Sequence, residues 1–236
     1  MTATGLVEFL TWDTEFWGTR AARVHADNDD DLRLADAECA DLGIRWASLL
    51  APSAATSLVN SAIRVGYDMV DMRVALRMKL DPSIGKRSIE TAAPDDTEPM
   101  ASIAASAFPT SRFSVDPHLD DNRCADFYDT WLRNSVSGQM ADAIVVSRHV
   151  GEIDGFMTVR TGQDHTGSLP LVAIRADRRG RGVGRRLLDD ALAWFSAQEC
   201  RELDVVTQLS NTPAIGLYES VGFRIVQSAI WLHRWY

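Results

Sequence analysis

The sequence predicts an α/β protein with a sizeable core, and three observations support this prediction. Predicted strands and predicted helices alternate along the chain. The strand segments have alternating or continuous apolar residues, and the helix segments have apolar residues that recur at helical spacing. Glycine and proline separate these segments at short intervals. The composition, 46% apolar and 24% charged over 236 residues, is that of a globular protein with one large or two small domains.

The first part of the chain, residues 1–85, predicts a smaller α/β domain. Its expected strands cover 6–12, 21–25, 44–50 and 67–80, and its expected helices cover 29–42 and 54–65. Gly43 and Gly66 follow the two helices, as is common at helix ends. The polar stretch 81–99, rich in proline, predicts a linker, within which 88–91 is a candidate first strand of a second domain over 86–236.

The second part predicts helices and strands in a definite order. Expected helices cover 100–108 and 120–136, and a loop over 109–118 joins them. Further on, the pattern predicts strands over 143–147, 151–161, 169–174, 203–209 and 223–235, and helices over 185–195 and 213–221. Thr212, Pro213 and Gly222 are suited to the ends of the last helix.

Charge and cysteine content narrow the function classes. A net charge of −9 argues against general binding to nucleic acid or to an anionic membrane. No signal peptide and no apolar stretch of membrane-spanning length is evident, so a cytoplasmic protein is expected. The three cysteines are odd in number and widely spaced, which predicts reduced thiols and no metal site.

Three glycines within five positions separate the expected strand 169–174 from the helix that follows: Gly180, Gly182 and Gly184. A glycine-rich turn that opens a helix offers free backbone N–H groups to an anion. Six arginines lie in the twelve positions around it: Arg175, Arg178, Arg179, Arg181, Arg185 and Arg186. The spacing matches neither a dinucleotide fingerprint nor a Walker loop. The pattern therefore predicts a site for a phosphate-rich anion of another kind.

The segment Arg179-Gly-Arg-Gly182-Val-Gly184 resembles the acyl-CoA motif Gln/Arg-x-x-Gly-x-Gly/Ala of the GCN5-related N-acetyltransferases (GNAT). Residues 211–223 resemble a second motif of that family, Asn-x-x-Ala-x-x-Leu-Tyr-x-x-x-Gly-Phe, and the order of elements from residue 88 onward is similar too. The resemblance implies a mixed, mostly antiparallel sheet flanked by helices, preceded here by the smaller N-terminal α/β domain. It also implies an acyltransferase with acetyl-CoA as cofactor.

The resemblance assigns roles to individual residues. Tyr218 would protonate the departing CoA thiolate, and its ordinary pKa of about 10 keeps it protonated at neutral pH. The N–H near Ile174 would bind the acyl oxygen, and Asn211 the pantetheine. The residues it assigns to cofactor binding are Ala173, Ile174, Arg179, Gly180, Arg181, Gly182, Val183, Gly184, Arg185, Asn211, Ala214 and Tyr218. No carboxylate stands out as a general base, so a water or a partly neutral acceptor amine could serve.

Segments 12–18, 111–118, 131–138 and 229–234 resemble the two-domain TDP-fucosamine acetyltransferases, which acetylate the 4-amino group of a TDP-linked deoxysugar. The implied acceptor is a small-molecule amine, a nucleotide sugar. Candidate substrate-binding residues are Trp17, Arg112, Phe113, Asp116 and His118. Arg133 is a further candidate partner for a phosphate. Acetylation of a peptide, a protein or another amine metabolite, a non-catalytic acyl-CoA sensor, and a homodimer are left open.

Overall fold

The computed structural model describes residues 5–85 and 87–236, and these residues form ten strands and seven helices. The strands are β1 (Val7–Phe9), β2 (Ala21–Val24), β3 (Trp46–Pro52), β4 (Asp68–Lys79), β5 (Ala143–His149), β6 (Glu152–Thr161), β7 (Thr166–Ser168), β8 (Val172–Ile174), β9 (Glu202–Gln208) and β10 (Arg224–Trp235). The helices are α1 (Thr11–Trp17), α2 (Asp29–Asp41), α3 (Thr56–Arg64), α4 (Thr97–Ala107), α5 (Asp121–Val136), α6 (Val183–Ala197) and α7 (Thr212–Glu219).

All ten strands belong to one sheet, in the order β1-β2-β3-β10-β4-β9-β7-β6-β5, with β8 also paired to β6. The pairs β2–β3 and β7–β9 are parallel, and the others are antiparallel. The expected mixed, mostly antiparallel sheet is therefore confirmed. Because β10 lies between β3 and β4, strands from both parts of the chain share the sheet, and the division at residues 85 and 86 stays a prediction.

Helices cover both faces of the sheet. Along β10 successive side chains alternate between the faces, so Leu232 joins the core beneath α2 and α3 while Trp235 packs on the opposite side. Helices α6 and α7 lie on the same face as α2 and α3, and their core is aliphatic. The other face is covered by α1, α4 and α5, whose core is rich in aromatic rings. The two faces of the central strands thus meet different environments.

Helix α1 replaces the expected end of the first strand, so the predicted strand over 6–12 is wrong beyond β1. Trp12 and Phe16 lie one helical turn apart, and their rings stack at 5.1 Å. Trp17 is buried against the aromatic core, and Gly18 ends the helix in the left-handed conformation. Burial of these rings outweighs the short alternating pattern of residues 6–12 because aromatic side chains bury the largest apolar areas.

The expected continuous strand over 169–174 is interrupted. The chain forms β7, leaves the ladder at Pro170, and forms β8 after it. Proline has no N–H to donate, so it cannot continue a central ladder. The candidate strand over 88–91 forms a single bridge, between Thr91 and Val145. The interruption at Pro170 is the feature around which the site is built.

Two expectations from composition can be compared with the folded chain. The three cysteines, Cys39, Cys124 and Cys200, are buried. Burial raises the pKa of the Cys39 and Cys200 thiols, which keeps them protonated at neutral pH. Among the helices of residues 5–85 and 87–236, none is long and apolar enough to cross a bilayer.

Candidate active site

A gap opens in the sheet where β8 and β9 diverge. β7 runs parallel to β9 from Thr166 to Ser168, and the last contact is the N–H of Leu169, which donates to the Asp204 carbonyl at 3.3 Å. Beyond it, β8 pairs with β6 and β9 pairs with β4. A cavity of about 880 Å³ passes through the gap, between residues 169–172 on one side and 206–208 on the other.

Backbone N–H groups of β8 point into this gap. The Leu171 carbonyl accepts from the Thr158 N–H, and the Arg175 N–H donates to the Asp154 carbonyl, both at 2.9 Å. Bonding alternates along an antiparallel pair, so the N–H groups of Val172 and Ile174 face away from β6. The Ile174 N–H therefore points to the side where β9 has diverged.

Helix α7 supplies one end of the cavity. Asn211, Ala214 and Tyr218 line it together, although seven positions separate the first from the last. Asn211 caps the helix: its Oδ1 accepts from the Ala214 N–H at 3.3 Å, and its Nδ2 donates to Thr207 Oγ1 at 3.2 Å. Tyr218 is 3% exposed, and burial raises the pKa of its hydroxyl above the ordinary value. Its hydroxyl is thus a proton donor at neutral pH beside the gap.

The glycine-rich turn places backbone N–H groups at the surface next to β8. Gly180 and Gly182 adopt left-handed conformations, with φ of 72° and 75°. Gly182 is the N-cap of α6, and its carbonyl accepts from the Arg186 N–H at 3.1 Å. The N–H groups of the first turn, from Val183 onward, have no helical partner. This turn has the geometry of an anion site.

Gly184 lets α6 approach its neighbours closely. A Cβ at this position would lie 3.0 Å from Leu217 Cδ2 and 3.1 Å from Ile174 Cδ1. Any larger residue would push α6 away from α7 and from β8. The glycine therefore fixes the distance between the anion site and the gap.

The six arginines of this region divide into two groups. Three form ion pairs: Arg175 with Glu152 and Asp177, Arg178 with Asp154, and Arg185 with Asp189. The other three are exposed and have no ion pair among the described residues: Arg179, Arg181 and Arg186. The positive field at the turn therefore comes from half of the arginines that the sequence singled out.

On the opposite face of the sheet, the cavity continues into a chamber lined by α5 and by the loop between α4 and α5. We call it the arginine chamber, after Arg23, Arg73 and Arg112, which line it. Its other walls are largely aromatic: Phe108, Phe113, Phe127, Tyr128, Trp131 and Trp231. The cavity therefore connects the face of the sheet that carries α7 to a chamber that offers both aromatic rings for stacking and positive charge.

The three guanidinium groups of the arginine chamber form no direct ion pair among the described residues, although the charges of Asp13 and Asp71 act on them from farther away. The Arg112 guanidinium lies 3.8 Å from the centre of the Trp231 ring and 4.5 Å from that of Phe113. Burial, with the charge of Arg23, lowers the pKa of Arg112 to about 10, so it remains cationic at neutral pH. Within the described part of the chain, no carboxylate lies within 4.0 Å of these three groups. Three partly buried cations without a direct ion pair favour an anionic ligand.

Two of the candidate substrate residues lie behind the chamber. Trp17 does not line the cavity; it packs in the core, stacked on Phe127 with ring centres 5.9 Å apart. His118 also lies outside the cavity, half-exposed and stacked on Trp235 at 5.0 Å. Arg112 and Phe113 are the two that face the cavity. The family resemblance grouped these residues, whereas the fold places some of them in the cavity wall and others in the support behind it.

Asp116 is a buried anchor rather than part of the cavity wall. Its carboxylate accepts from His233 Nδ1 at 2.7 Å, Trp235 Nε1 at 3.0 Å and the His118 N–H at 3.0 Å. Burial alone would raise the pKa of Asp116, but these bonds lower it to about 2. Asp116 thus ties the loop over 109–118 to β10, which holds Arg112 over the cavity.

We expect Asp116→Asn to lower the free energy of unfolding by about 1–3 kcal/mol, because a buried network loses its charged acceptor. A carboxyl with a depressed pKa stabilises the fold above its ordinary pKa of about 3.9 and loses this effect as the pH falls towards 2. Urea unfolding between pH 7 and 2 measures both effects. The exposed Asp126→Asn is the control. Equal stability of the two variants at pH 7 would contradict the anchoring role.

Several residues of the site were not identified from the sequence: Arg23, Asp71, Arg73, Gln208 and Trp231. Arg133, a candidate phosphate partner, instead pairs with Glu98 at 2.7 Å and with Asp129 at 2.9 Å on the outer surface of α5. Charged residues on a central strand are unusual, and this was the available signal for Asp71 and Arg73. It could not be used without knowing that β4 lies between β10 and β9.

Comparison with known proteins gives consistent findings. The model of the acetyltransferase (GNAT) family matches residues 97–223, which include β8, α6 and α7. A dTDP-fucosamine acetyltransferase of Escherichia coli O6:H1 (strain CFT073) is 28% identical over 97% of both chains. The spore coat polysaccharide biosynthesis protein SpsD of Bacillus subtilis (strain 168) is 32% identical over 60% of this chain and 48% of its own. A crystal structure from Sphaerobacter thermophilus superposes with a TM-score of 0.66 at 17% identity, covering 97% of this chain and 76% of that one.

Proposed function

Because the chain belongs to the acetyltransferase (GNAT) family and is an acetyl-CoA-dependent acyltransferase, we propose that it acetylates the amino group of a TDP-linked 4-amino-deoxysugar. The observation that carries the proposal is the cavity through the sheet, which joins Asn211 and Tyr218 on one face to the arginine chamber on the other. A thioester and an amine that enter from opposite faces would meet in the gap. The name of the full-length relative supports the choice of acceptor.

Acetyl-CoA supplies the acetyl thioester, and the residues on the α6 and α7 face fit its chemistry. We assign the pyrophosphate to the amides of residues 180–185 with the exposed Arg179 and Arg181, because the first turn of α6 has no side-chain cap and neither arginine forms an ion pair among the described residues. The pantetheine is assigned to the strand edge at Ala173 and Ile174 and to Asn211 and Ala214. These roles follow the matched motifs, and the position of Asn211 and Ala214 on the cavity supports them.

Two groups are proposed to act in the transfer itself. The Ile174 N–H points into the gap and would donate to the oxygen that gains negative charge during attack. Tyr218 holds its proton at neutral pH and would give it to the leaving sulfur. Transfer is direct in this proposal, because Tyr218 and the acceptor chamber line the same cavity and the Ile174 N–H faces the side where β9 has diverged.

The arginine chamber suits an acceptor that carries an amine at one end and an anion at the other. Arg23 lies on β2, three strands away from β4 in the sheet, which corresponds to about 14 Å at the usual spacing. A sugar joined to a diphosphate and a base has this extended form: the diphosphate suits the arginines, and the base suits the aromatic walls. An amine metabolite without an anionic group would leave the three cations unpaired.

A mass-spectrometric screen with acetyl-CoA tests the acceptor. The panel contains a TDP-4-amino-4,6-dideoxyhexose, UDP-amino sugars and peptides with free N-termini. Acetylation of the TDP-amino sugar with the highest kcat/KM is the expected result. Acetylated peptides without any acetylated nucleotide sugar would overturn the proposed acceptor.

Arg112→Met is expected to raise KM for the nucleotide sugar by about 10- to 100-fold, since charged hydrogen bonds contribute about 1.5–3 kcal/mol. Methionine keeps the apolar contact with Trp231 but removes the charge. Acetyl-CoA affinity should not change. Arg133→Met is the matched control, because Arg133 is paired outside the cavity. Steady-state kinetics measure both variants, and an unchanged KM for Arg112→Met would count against an anionic acceptor.

A further inference from the structure

We propose that Asp71 is the general base, the group that takes a proton from the acceptor's ammonium before the nitrogen attacks. This rests on amine acetylation as the proposed reaction and does not depend on which amine is the acceptor. An ammonium has no lone pair, so a proton must leave it before a C–N bond can form. No base was identified from the sequence.

Asp71 lies on the acceptor side of the gap. It is on β4 opposite Trp231 of β10, and the two residues share the face that α1, α4 and α5 cover. The cavity reaches the side chain, which is partly exposed to it. Gln208 Nε2 donates to Asp71 Oδ1 at 3.1 Å, and Gln208 is itself held by Thr110. The carboxylate is therefore oriented, and it has no ion pair among the described residues.

Asp71 lies beside the strand that borders the gap. β4 and β9 pair Arg73 with Gln208, and the Leu209 N–H donates to the Met72 carbonyl at 2.7 Å, so Asp71 is level with the end of β9. β8 lies on the other side of the gap, where the cavity separates residues 169–172 from residues 206–208. Asp71 and the β8 N–H groups that face away from β6 therefore border the same gap from opposite sides.

Other basic groups of the cavity lie too far from the gap. His25 and Asp27 line its far end and follow β2, which is four strands away from β9. Four spacings amount to about 19 Å, well beyond the reach of one proton transfer. Both are exposed, and His25 is paired with Glu8 at 3.0 Å. His165 lies outside the cavity, where its Nδ1 contacts the Glu199 carbonyl at 3.1 Å.

The surroundings of Asp71 favour proton uptake. Its charged and titratable neighbours are Arg73 on the same strand, Arg112 on the loop and Tyr128 on α5. Burial raises the pKa of Asp71, and the hydrogen bond from Gln208 and the two arginines offset this only in part. The same two arginines disfavour an ammonium nearby, which weakens its hold on the proton. The carboxylate thus becomes a better base and the ammonium a better acid.

The proton balance is complete without another reactant. Asp71 takes one proton from the ammonium and releases it to solvent after turnover. The freed lone pair forms the C–N bond with the thioester carbon, and the C–S bond then breaks. Tyr218 gives its proton to the sulfur, and this yields the thiol. Tyr218 then regains a proton, through solvent, from the nitrogen. The nitrogen keeps a single hydrogen in the amide product. One proton is released overall.

The first test is the pH dependence of Asp71→Asn. Asparagine keeps the size of the side chain but cannot take up the proton, so kcat/KM should fall by about 10²- to 10⁴-fold at pH 7. The loss should shrink as the pH rises and the free amine becomes available, and Asp71→Glu should restore part of the rate. Affinity for acetyl-CoA should not change. Asp204→Asn is the control, a carboxylate on the same face paired with Arg77 outside the cavity.

The second test needs no acceptor. Carbon-13 NMR of aspartate carboxyls in the wild-type protein and in Asp71→Asn identifies the Asp71 signal, which should titrate above the ordinary value of about 3.9. A midpoint at or below that value, or a wild-type pH profile in Asp71→Asn, would overturn the proposal. If the screen finds a different amine as acceptor, the rate test uses that amine. In that case the proposed nucleotide-sugar acceptor is wrong, but the experiment still tests whether Asp71 is the general base.

Discussion

Tyr218→Phe is expected to lower kcat by about 10²- to 10⁴-fold, the usual cost of removing a general acid. Tyr218 is 3% exposed and packs 5.7 Å from the Phe223 ring, so phenylalanine preserves the core and removes the hydroxyl alone. Burial raises the pKa of Tyr218, which secures its proton at neutral pH but makes it a weaker acid than an exposed phenol. The benefit therefore comes from position, since the hydroxyl is held at the gap where the thiolate leaves.

Single-turnover kinetics, in which product release does not limit the rate, measure this effect. Calorimetry should give the same acetyl-CoA affinity for wild type and variant, because the pantetheine contacts are assigned to other groups. Tyr67→Phe is a matched control, since Tyr67 is also buried but lies outside the cavity. A Tyr218→Phe enzyme with the wild-type rate of chemistry would show that Tyr218 is a packing residue.

Gly182→Asp is expected to reduce acetyl-CoA affinity by about 100-fold or more. Gly182 has a φ of 75°, which L residues rarely adopt, and it precedes the free N–H groups of α6. A carboxylate there would accept hydrogen bonds from those N–H groups itself and would repel the pyrophosphate. The repulsion between two like unit charges about 4 Å apart near a protein surface is about 4 kcal/mol. Strain and charge therefore act in the same direction.

Two controls separate the charge from the strain. Gly182→Asn introduces a side chain of the same size, and asparagine tolerates left-handed backbone better than most residues. Gly138→Asp places the same charge at a glycine of similar conformation, φ 80°, with open space around it and away from the turn. Calorimetry should rank the affinities as Gly138→Asp, then Gly182→Asn, then Gly182→Asp. If Gly182→Asp binds acetyl-CoA as wild type does, the pyrophosphate does not lie at this turn.

The helices and the residues of the cofactor side were predictable because their signals are local. The periodicity of α2, α5 and α6 predicts each helix within about two residues, the usual uncertainty of helix ends. The caps Gly182 of α6 and Asn211 of α7 depend on neighbours fewer than five positions away, although the sequence favoured the next residue, Thr212, as the cap of α7. Tyr218 follows from Asn211 by helical spacing, and the structure places both on one cavity. Residues joined by one turn and one helix keep their relation in any fold that forms those elements.

The acceptor side was decided by tertiary structure. Alternation along β4 shows that Asp71 and Arg73 share a face, but it does not show which strands flank β4 or what covers that face. Insertion of β4 between β10 and β9 brings Asp71 to the edge of the gap, and the loop anchored by Asp116 brings Arg112 to the same chamber. These contacts join residues separated by about a hundred positions or more. Strand pairing depends on the free energy of the whole sheet and on the entropy of loop closure. The sequence by itself determines only the features that depend on neighbouring residues, such as helices, caps and turns.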